Sequence, residues 1–289
     1  MHFKMVKGIL SAENGMNLYR GCTHGCIYCD ARSLCYQMNH DFEDIEVKEN
    51  ALELLEAALR RKRAPCMIAT GAMTDPYLHA ERSLRYTRRS LELIEQYGFG
   101  VTVQTKSARI LEDIDLLQRI NKRAKCVVQM TLTTYDDGLC RLIEPHVLVT
   151  SERFAVLEAM RESVIPTVVW LSPFLPYLND TEENLRGLLD YCVRAEVRGI
   201  ICFGIGLTLR EGNREYFYEQ LDRHFPGLSA RYRCKYGNRY EVVSDHHMEL
   251  MPILYETCRR YGMMSSPEEN FTFLRTFDSP LYGEQLTLF

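Results

Sequence analysis

An α/β fold, a partial (β/α)6 barrel of the TIM type with a C-terminal extension, is what this sequence predicts, and three observations lead there. Between residues 48 and 204, short apolar runs rich in β-branched residues alternate with amphipathic stretches. The runs are short and apolar enough to be strands buried on both faces, as in a parallel sheet covered by helices. After Gly206 the alternation stops, so the rest of the chain reads as an addition to the barrel.

The elements follow in order. Residues 16–20 are the first expected strand. Leu52, Leu55 and Leu59 then recur at helical spacing, before an apolar strand at residues 66–70. Thr87, Leu91 and Ile94 mark the next helix and residues 101–105 the next strand; Ile110, Ile114 and Leu117 precede a strand at 126–132. Phe154, Leu157 and Met160 lead to a strand at 164–171, and Leu185, Leu188, Leu189 and Cys192 to one at 199–204. Beyond it, residues 213–224 and 245–261 read as helices, and 231–240 is basic and aromatic. From Ser265, with Pro267, Pro280 and Gly283 among scattered Phe and Leu, a loosely packed tail is expected. The expected division is residues 1–210 for the barrel and 211–289 for the extension.

A chain of 289 residues, 46% hydrophobic and 26% charged, can bury a core without disulfides or a structural metal. Thirty-five basic against 39 acidic residues give a net charge of −4, which excludes whole-surface attraction to a polyanion and leaves only local patches. No apolar run approaches the roughly 18 residues of a membrane span, and residues 1–10 hold no signal-like apolar stretch, so a cytoplasmic protein is expected. In such a reducing compartment the eleven cysteines serve as ligands or packed thiols, and their spacing matters more than their number.

Three of them stand in Cys22-Thr-His-Gly-Cys26-Ile-Tyr-Cys29, directly after the first expected strand. Loops at the C-terminal ends of barrel strands converge on one mouth. Three thiolates on one short loop can wrap a corner of an iron-sulfur cube, with Gly21 and Gly25 easing the turns, and leave one iron open to an amine and a carboxylate. The alternative is a zinc site with Cys35 as fourth ligand.

The C-x3-C-x2-C loop with aromatic Tyr28 before its third cysteine resembles the radical S-adenosylmethionine superfamily. The resemblance implies a 4Fe-4S cluster held by Cys22, Cys26 and Cys29. It also implies bound S-adenosylmethionine, whose cleavage yields a 5′-deoxyadenosyl radical. The phrases Asn17-Leu-Tyr-Arg-Gly-Cys22, Thr74-Asp-Pro-Tyr77 with Glu81, Thr105-Lys-Ser107, Glu144-Pro145 and Pro173 to Asp180 resemble the spore photoproduct lyase-like branch, also labelled DNA repair photolyase-like. By that resemblance Gly71, Ala72, Met73 and Thr74 receive the cofactor's amino group and Tyr28 lies near its adenine. Thr131, Thr133, Glu144 and Arg153 are then candidates for its ribose and carboxylate. The sequence departs from the branch in one place. Spore photoproduct lyases carry a hydrogen-donating cysteine just ahead of the Ser/Thr-Asp pair, where this chain has Ala72 and Met73, neither of which offers an S–H.

The ending Gln285-Leu286-Thr-Leu288-Phe289 resembles the motif by which bacterial polymerases and repair proteins bind the sliding clamp, with Gln285 setting register and three apolar anchors; docking on its own barrel is the alternative. Arg60 to Arg63 read as a helix-end cap. The stretch from Arg231 to Tyr240 reads either as a nucleic-acid contact or as a barrel cover. Adjacent His246 and His247 do not share a helix face. The expected function is therefore a radical enzyme, of lyase or transferase type, for DNA repair or nucleic-acid modification. The alternatives are action on RNA, protein or a small metabolite, or a clamp-associated iron-sulfur sensor without turnover. The sequence assigns no catalytic side chain, hydrogen donor or electron donor.

Overall fold

The structure, a computed structural model, describes residues 1–277. Its strands are β1 (His2–Lys4), β2 (Gly15–Met16), β3 (Tyr19–Arg20), β4 (Glu46–Lys48), β5 (Met67–Thr70), β6 (Gly100–Thr105), β7 (Cys126–Thr131), β8 (Thr167–Trp170), β9 (Gly199–Ile201), β10 (Gly206–Thr208) and β11 (Glu241–Val243). Between them run helices α1 (Ala51–Arg61), α2 (Glu81–Leu84), α3 (Tyr86–Gln96), α4 (Ile114–Arg123), α5 (Asp137–Ile143), α6 (Thr150–Glu162) and α7 (Glu182–Arg194). Helices α8 (Asn213–His224), α9 (Leu228–Tyr236), α10 (His247–Tyr261) and α11 (Pro267–Arg275) follow after β10.

One six-stranded sheet, ordered β2-β5-β6-β7-β8-β9 and parallel throughout, carries the fold, an open TIM-like barrel as expected. Its register keeps the strand ends level, with Thr105 opposite Met130 and Thr131 opposite Trp170, so the following loops open on one side. Alternation along each strand sorts the faces. Val101, Val103, Val128, Met130, Val169 and Ile200 face outward into a core shared with Leu55, Leu91, Leu117, Leu157 and Leu188 of α1, α3, α4, α6 and α7. On the inner face, the Gln129 amide donates to Thr102 (2.7 Å) and the Trp170 indole donates to Gln129 (2.8 Å), forming a polar belt across the barrel.

Four expectations are corrected. Residues 16–20 are not one strand: β2 joins the large sheet, while β3 pairs with β4 in a three-stranded sheet ordered β1-β4-β3. The strand expected from Val164 starts at Thr167, because Val164 is exposed, has φ 57° and closes α6 by bonding the Arg161 carbonyl (2.9 Å). Ile110 lies in a 3-10 turn ahead of α4 rather than in the helix. The described part of the tail, residues 265–277, is not loose: α11 plugs the barrel from the inner face, where Leu274, Phe271 and Phe273 pack on Val127, Val168 and Ile201.

Asn270 of the plug is fully buried and donates to the Ile200 carbonyl at 3.1 Å, while the Lys125 ammonium bonds the Phe273 and Thr276 carbonyls at 2.7 and 3.1 Å. Outside, α10 buries Leu250, Leu254 and Cys258 against the main core and packs on α7. The basic and aromatic stretch forms α9. Tyr232 and Tyr236 are buried in a second core with Phe217 and Leu221 of α8, and exposed Arg231 stacks 3.7 Å over Tyr177. Among the described residues no helix is long and apolar enough to cross a membrane. Gln285, Leu286, Leu288 and Phe289 lie outside the described residues.

Asn270→Ala removes one of the polar links between plug and sheet and is expected to lower apoprotein stability by about 1–3 kcal/mol, read from denaturant unfolding.

Candidate active site

The loop between Gly21 and Cys29 crosses the mouth because the chain leaves the large sheet after Met16 and is anchored by β3 to β4. Gly21 and Gly25 have φ of +85° and +71°. A Cβ at Gly21 would sit 2.5 Å from the Phe42 carbonyl oxygen, and one at Gly25 would meet His146 at 2.9 Å, so both turns require glycine. Backbone bonds fix the loop: the Cys22 amide donates to the Phe42 carbonyl (3.0 Å), the Ile27 amide to Ile143 (3.0 Å) and the His146 amide to His24 (3.2 Å). The Thr74 hydroxyl donates to the Gly21 carbonyl. Cys26, Ile27 and Tyr28 also belong to the second apolar core, which joins the loop to α8 and α9.

Cys22, Cys26 and Cys29 all line a cavity of about 770 Å³ at the barrel mouth. Burial pushes all three thiols up, Cys26 to about 12, while the Lys106 ammonium pulls Cys26 and Cys29 the other way. Among the described residues they do not form a set whose ligand atoms all lie within 4.8 Å of one another, the closeness that one ion's ligands require. A multi-iron cluster takes each thiolate at a separate iron, so a wider set suits it. Cys35 is exposed, receives the Arg210 guanidinium at 3.3 Å and does not line the cavity, which removes the support for a four-thiol zinc site. The donor set fits a cluster.

Behind the thiols stands a buried charge network. The Arg153 guanidinium bonds Glu144, both fully buried, and donates to the Thr131 carbonyl at 2.7 Å and to Cys140 Sγ at 3.0 Å. Glu144 also receives the Tyr28 hydroxyl and, at 3.0 Å, that of Thr133. The Lys106 ammonium lies 3.4 Å from Glu144, 3.1 Å from Tyr28 Oη and 3.6 Å from Cys26 Sγ. Burial alone would raise the Glu144 carboxyl; the Arg153 and Lys106 cations overcome it and hold the group well below the usual carboxylate range.

Of the expected cofactor contacts, Tyr28, Gly71, Ala72, Met73, Thr74 and Thr131 line the cavity. Thr133, Glu144 and Arg153 do not: they stand behind its wall and bond one another. Sequence reasoning assigned no role to Asp75 or Lys106. Asp75 accepts from the Thr105 hydroxyl (2.8 Å), the Lys106 amide (2.7 Å) and the Tyr77 amide (2.8 Å), locking the β5 and β6 loops together. Their signal was the Thr74-Asp and Thr105-Lys phrases. The far wall was also missed. It comes from Phe203, Thr208, Tyr240, Val243 and His247, mostly on β10, β11 and the start of α10.

Residues 16–189 match the sequence family described as the Radical SAM superfamily. The chain belongs to that superfamily. Its cofactors are accordingly a 4Fe-4S cluster and S-adenosylmethionine. The uncharacterized protein Rv2578c of Mycobacterium tuberculosis is 31% identical over 229 residues, 76% of this chain and 66% of its own. The chain thus spans just under two thirds of the curated relatives it first matches. A structure of a spore photoproduct lyase variant with bound AdoMet and dinucleoside spore photoproduct superposes with a TM-score of 0.60 at 15% identity, covering 86% of this chain and 74% of that one. The radical S-adenosylmethionine methyltransferase TsrM of Kitasatospora setae, with cobalamin and a [4Fe-4S] cluster, gives 0.51 at 16% identity, covering 72% and 37%. At these identities the likeness is one of fold.

Glu144→Gln leaves Arg153 buried without a counter-charge and is expected to cost about 3–5 kcal/mol near neutral pH. Because the folded carboxyl ionises below its unfolded value of about 4.3, the wild-type advantage is full above that pH and shrinks as pH falls toward the folded value. Denaturant unfolding of both apoproteins across that range checks it.

Proposed function

We propose that the chain is a radical enzyme acting on nucleic acid, with DNA repair or modification as its setting, in which Cys22, Cys26 and Cys29 hold the cluster. The observation that carries this reading is a single cavity lined both by the three thiols and by exposed Phe203 and Tyr240, with the Arg210 guanidinium beside it between Asp30 (3.5 Å) and Tyr240 Oη, to which it donates at 3.0 Å. Rings can stack on bases and guanidinium groups can pair with phosphates. Exposed Arg231, Arg233 and Arg239 add local positive charge to a chain that is acidic overall. The spore photoproduct lyase solved with a dinucleoside spore photoproduct supports the same substrate class.

When bound, the reduced cluster and S-adenosylmethionine supply a 5′-deoxyadenosyl radical able to take a hydrogen atom from a substrate C–H bond. The protein's part is to position and to exclude. Tyr28 and Thr131 border the cofactor side, and Gly71, Ala72, Met73 and Thr74 offer backbone groups to its amino end. The Lys106 ammonium, which faces the cavity, offers a carboxylate the cation first sought in Arg153. Glu144 and Arg153 hold Tyr28 and Lys106 in place from behind. Ala72 and Met73 provide no thiol, so the reading does not extend to thymine-dimer reversal through a cysteine at that place. In this reading the barrel portion, residues 1–210, holds the cofactors and gives Phe203 and Arg210 to the substrate side, which Tyr240, Val243 and His247 of the extension, residues 211–289, complete.

With the cluster loaded and reduced in the absence of oxygen, a DNA oligonucleotide is expected to raise the yield of 5′-deoxyadenosine. Cys26→Ala abolishes both the bound iron and that yield. A yield that ignores DNA and RNA but rises with a peptide or metabolite moves the substrate to that class, and iron without any 5′-deoxyadenosine favours the sensor. For the ending Gln285 to Phe289 we propose delivery to DNA through the sliding clamp; purified clamp is expected to retain the full chain and not one cut before Gln285.

A further inference from the structure

Beside the thiol loop but outside its cavity, one set of His, Cys, Asp or Glu side chains among the described residues brings its ligand atoms within 4.8 Å of one another: His2, His40 and Asp44. The small sheet assembles it. His2 in β1 lies opposite Glu46 in β4, and His40 and Asp44 sit on the loop leading into β4. His2 Nδ1 is 2.9 Å from Asp44 Oδ2, and the Nε2 atoms of His2 and His40 are each 3.9 Å from Glu46 Oε2. The two rings meet edge to face, 4.8 Å between centroids.

His40 is the decisive group. Its Nδ1 lies 3.0 Å from the Asp41 carbonyl, which can only accept, so in the neutral ring Nδ1 carries the proton. Nε2 is then a bare lone pair, and it is buried with no hydrogen-bond partner. Histidines that bind metal show this arrangement, one ring nitrogen donating to a carbonyl or carboxylate and the other left for the ion. A buried acceptor without a donor is unfavourable, and a cation satisfies it.

We propose that His2, His40 and Asp44 bind a divalent ion of the zinc class, separate from the iron-sulfur cluster. Two imidazoles and a carboxylate without a thiol suit zinc, with the remaining position open to water. Glu46 already holds the Lys4 ammonium at 2.9 Å and adds negative charge from behind; Asp44, 2.5 Å from the Met1 amino group, exchanges that contact for the ion. Bound there, the ion ties β1 to the loop containing Phe42, whose carbonyl holds the Cys22 amide. The site does not rest on the substrate proposed above.

The test is elemental analysis and zinc-edge X-ray absorption on the anaerobically prepared, cluster-loaded full chain dialysed against zinc sulfate. One zinc per chain beyond the iron is expected, with nitrogen and oxygen neighbours only and an imidazole signature. His40→Ala, with His2→Gln as the second variant should the first fail to fold, is expected to weaken zinc binding by more than the about 10–100-fold that loss of an outer partner costs, with iron and acid-labile sulfide unchanged. Sulfur neighbours around zinc, full zinc retention in the folded variants, or no zinc bound at all overturns the site.

Discussion

A carboxylate and a guanidinium with no exposure to water hold the cavity wall together. Moving Glu144 and Arg153 out of solvent is unfavourable by several kcal/mol for each ion, and the partners gathered around them, which leave only Arg153 Nε without a bond, offset it. The partners come from separate parts of the chain: Tyr28 from the thiol loop, Lys106 from the end of β6, Thr131 and Thr133 from β7 and the residues after it, and Cys140 from α5. Shifting any one of these segments leaves a buried charge short of a bond. Electrostatics, more than shape, therefore fixes how the thiol loop sits against the strand ends.

Much of the architecture was legible because it follows from period. Leu55 and Leu59, Leu91 and Ile94, and Leu157 and Met160 fall on helix faces that must meet a sheet, and runs such as residues 126–132 have no polar face to give to water. The three-thiol loop was legible because its spacing is local. What escaped depended on distant partners. Nothing within residues 16–20 tells that Met16 pairs with Thr70 while Tyr19 pairs with Val47. Arg153 looked like a cofactor grip by residue type, but its destination depends on Glu144, nine residues earlier in the chain, lying directly across from it.

Helix α11 was a readable element that went unread. Ser266 followed by Pro267 and Glu269 is a helix-start signature, and the Ser266 hydroxyl does accept from the Glu269 amide. Proline and scattered aromatics without a sustained period pointed to a loosely packed tail instead. The far wall of the cavity was less accessible to reading, since β10 and β11 are three residues each and lie more than thirty residues apart, so only their antiparallel pairing brings Thr208 and Tyr240 to one mouth. Residues after 210 thus supply one side of the cavity lining, from Tyr240 to Val243 with His247, and, through Phe217, Tyr232 and Leu221, the apolar backing of Cys26 and Tyr28.

The plug at the base of the sheet has a kinetic side. With Phe271 and Leu274 filling the inner face below the belt of Thr102, Gln129 and Trp170, the base of the barrel is occupied by the chain's own side chains. Exchange of a small molecule through that end would require α11 to lift away. A large molecule resting over the mouth would therefore slow the exchange of whatever lies beneath it.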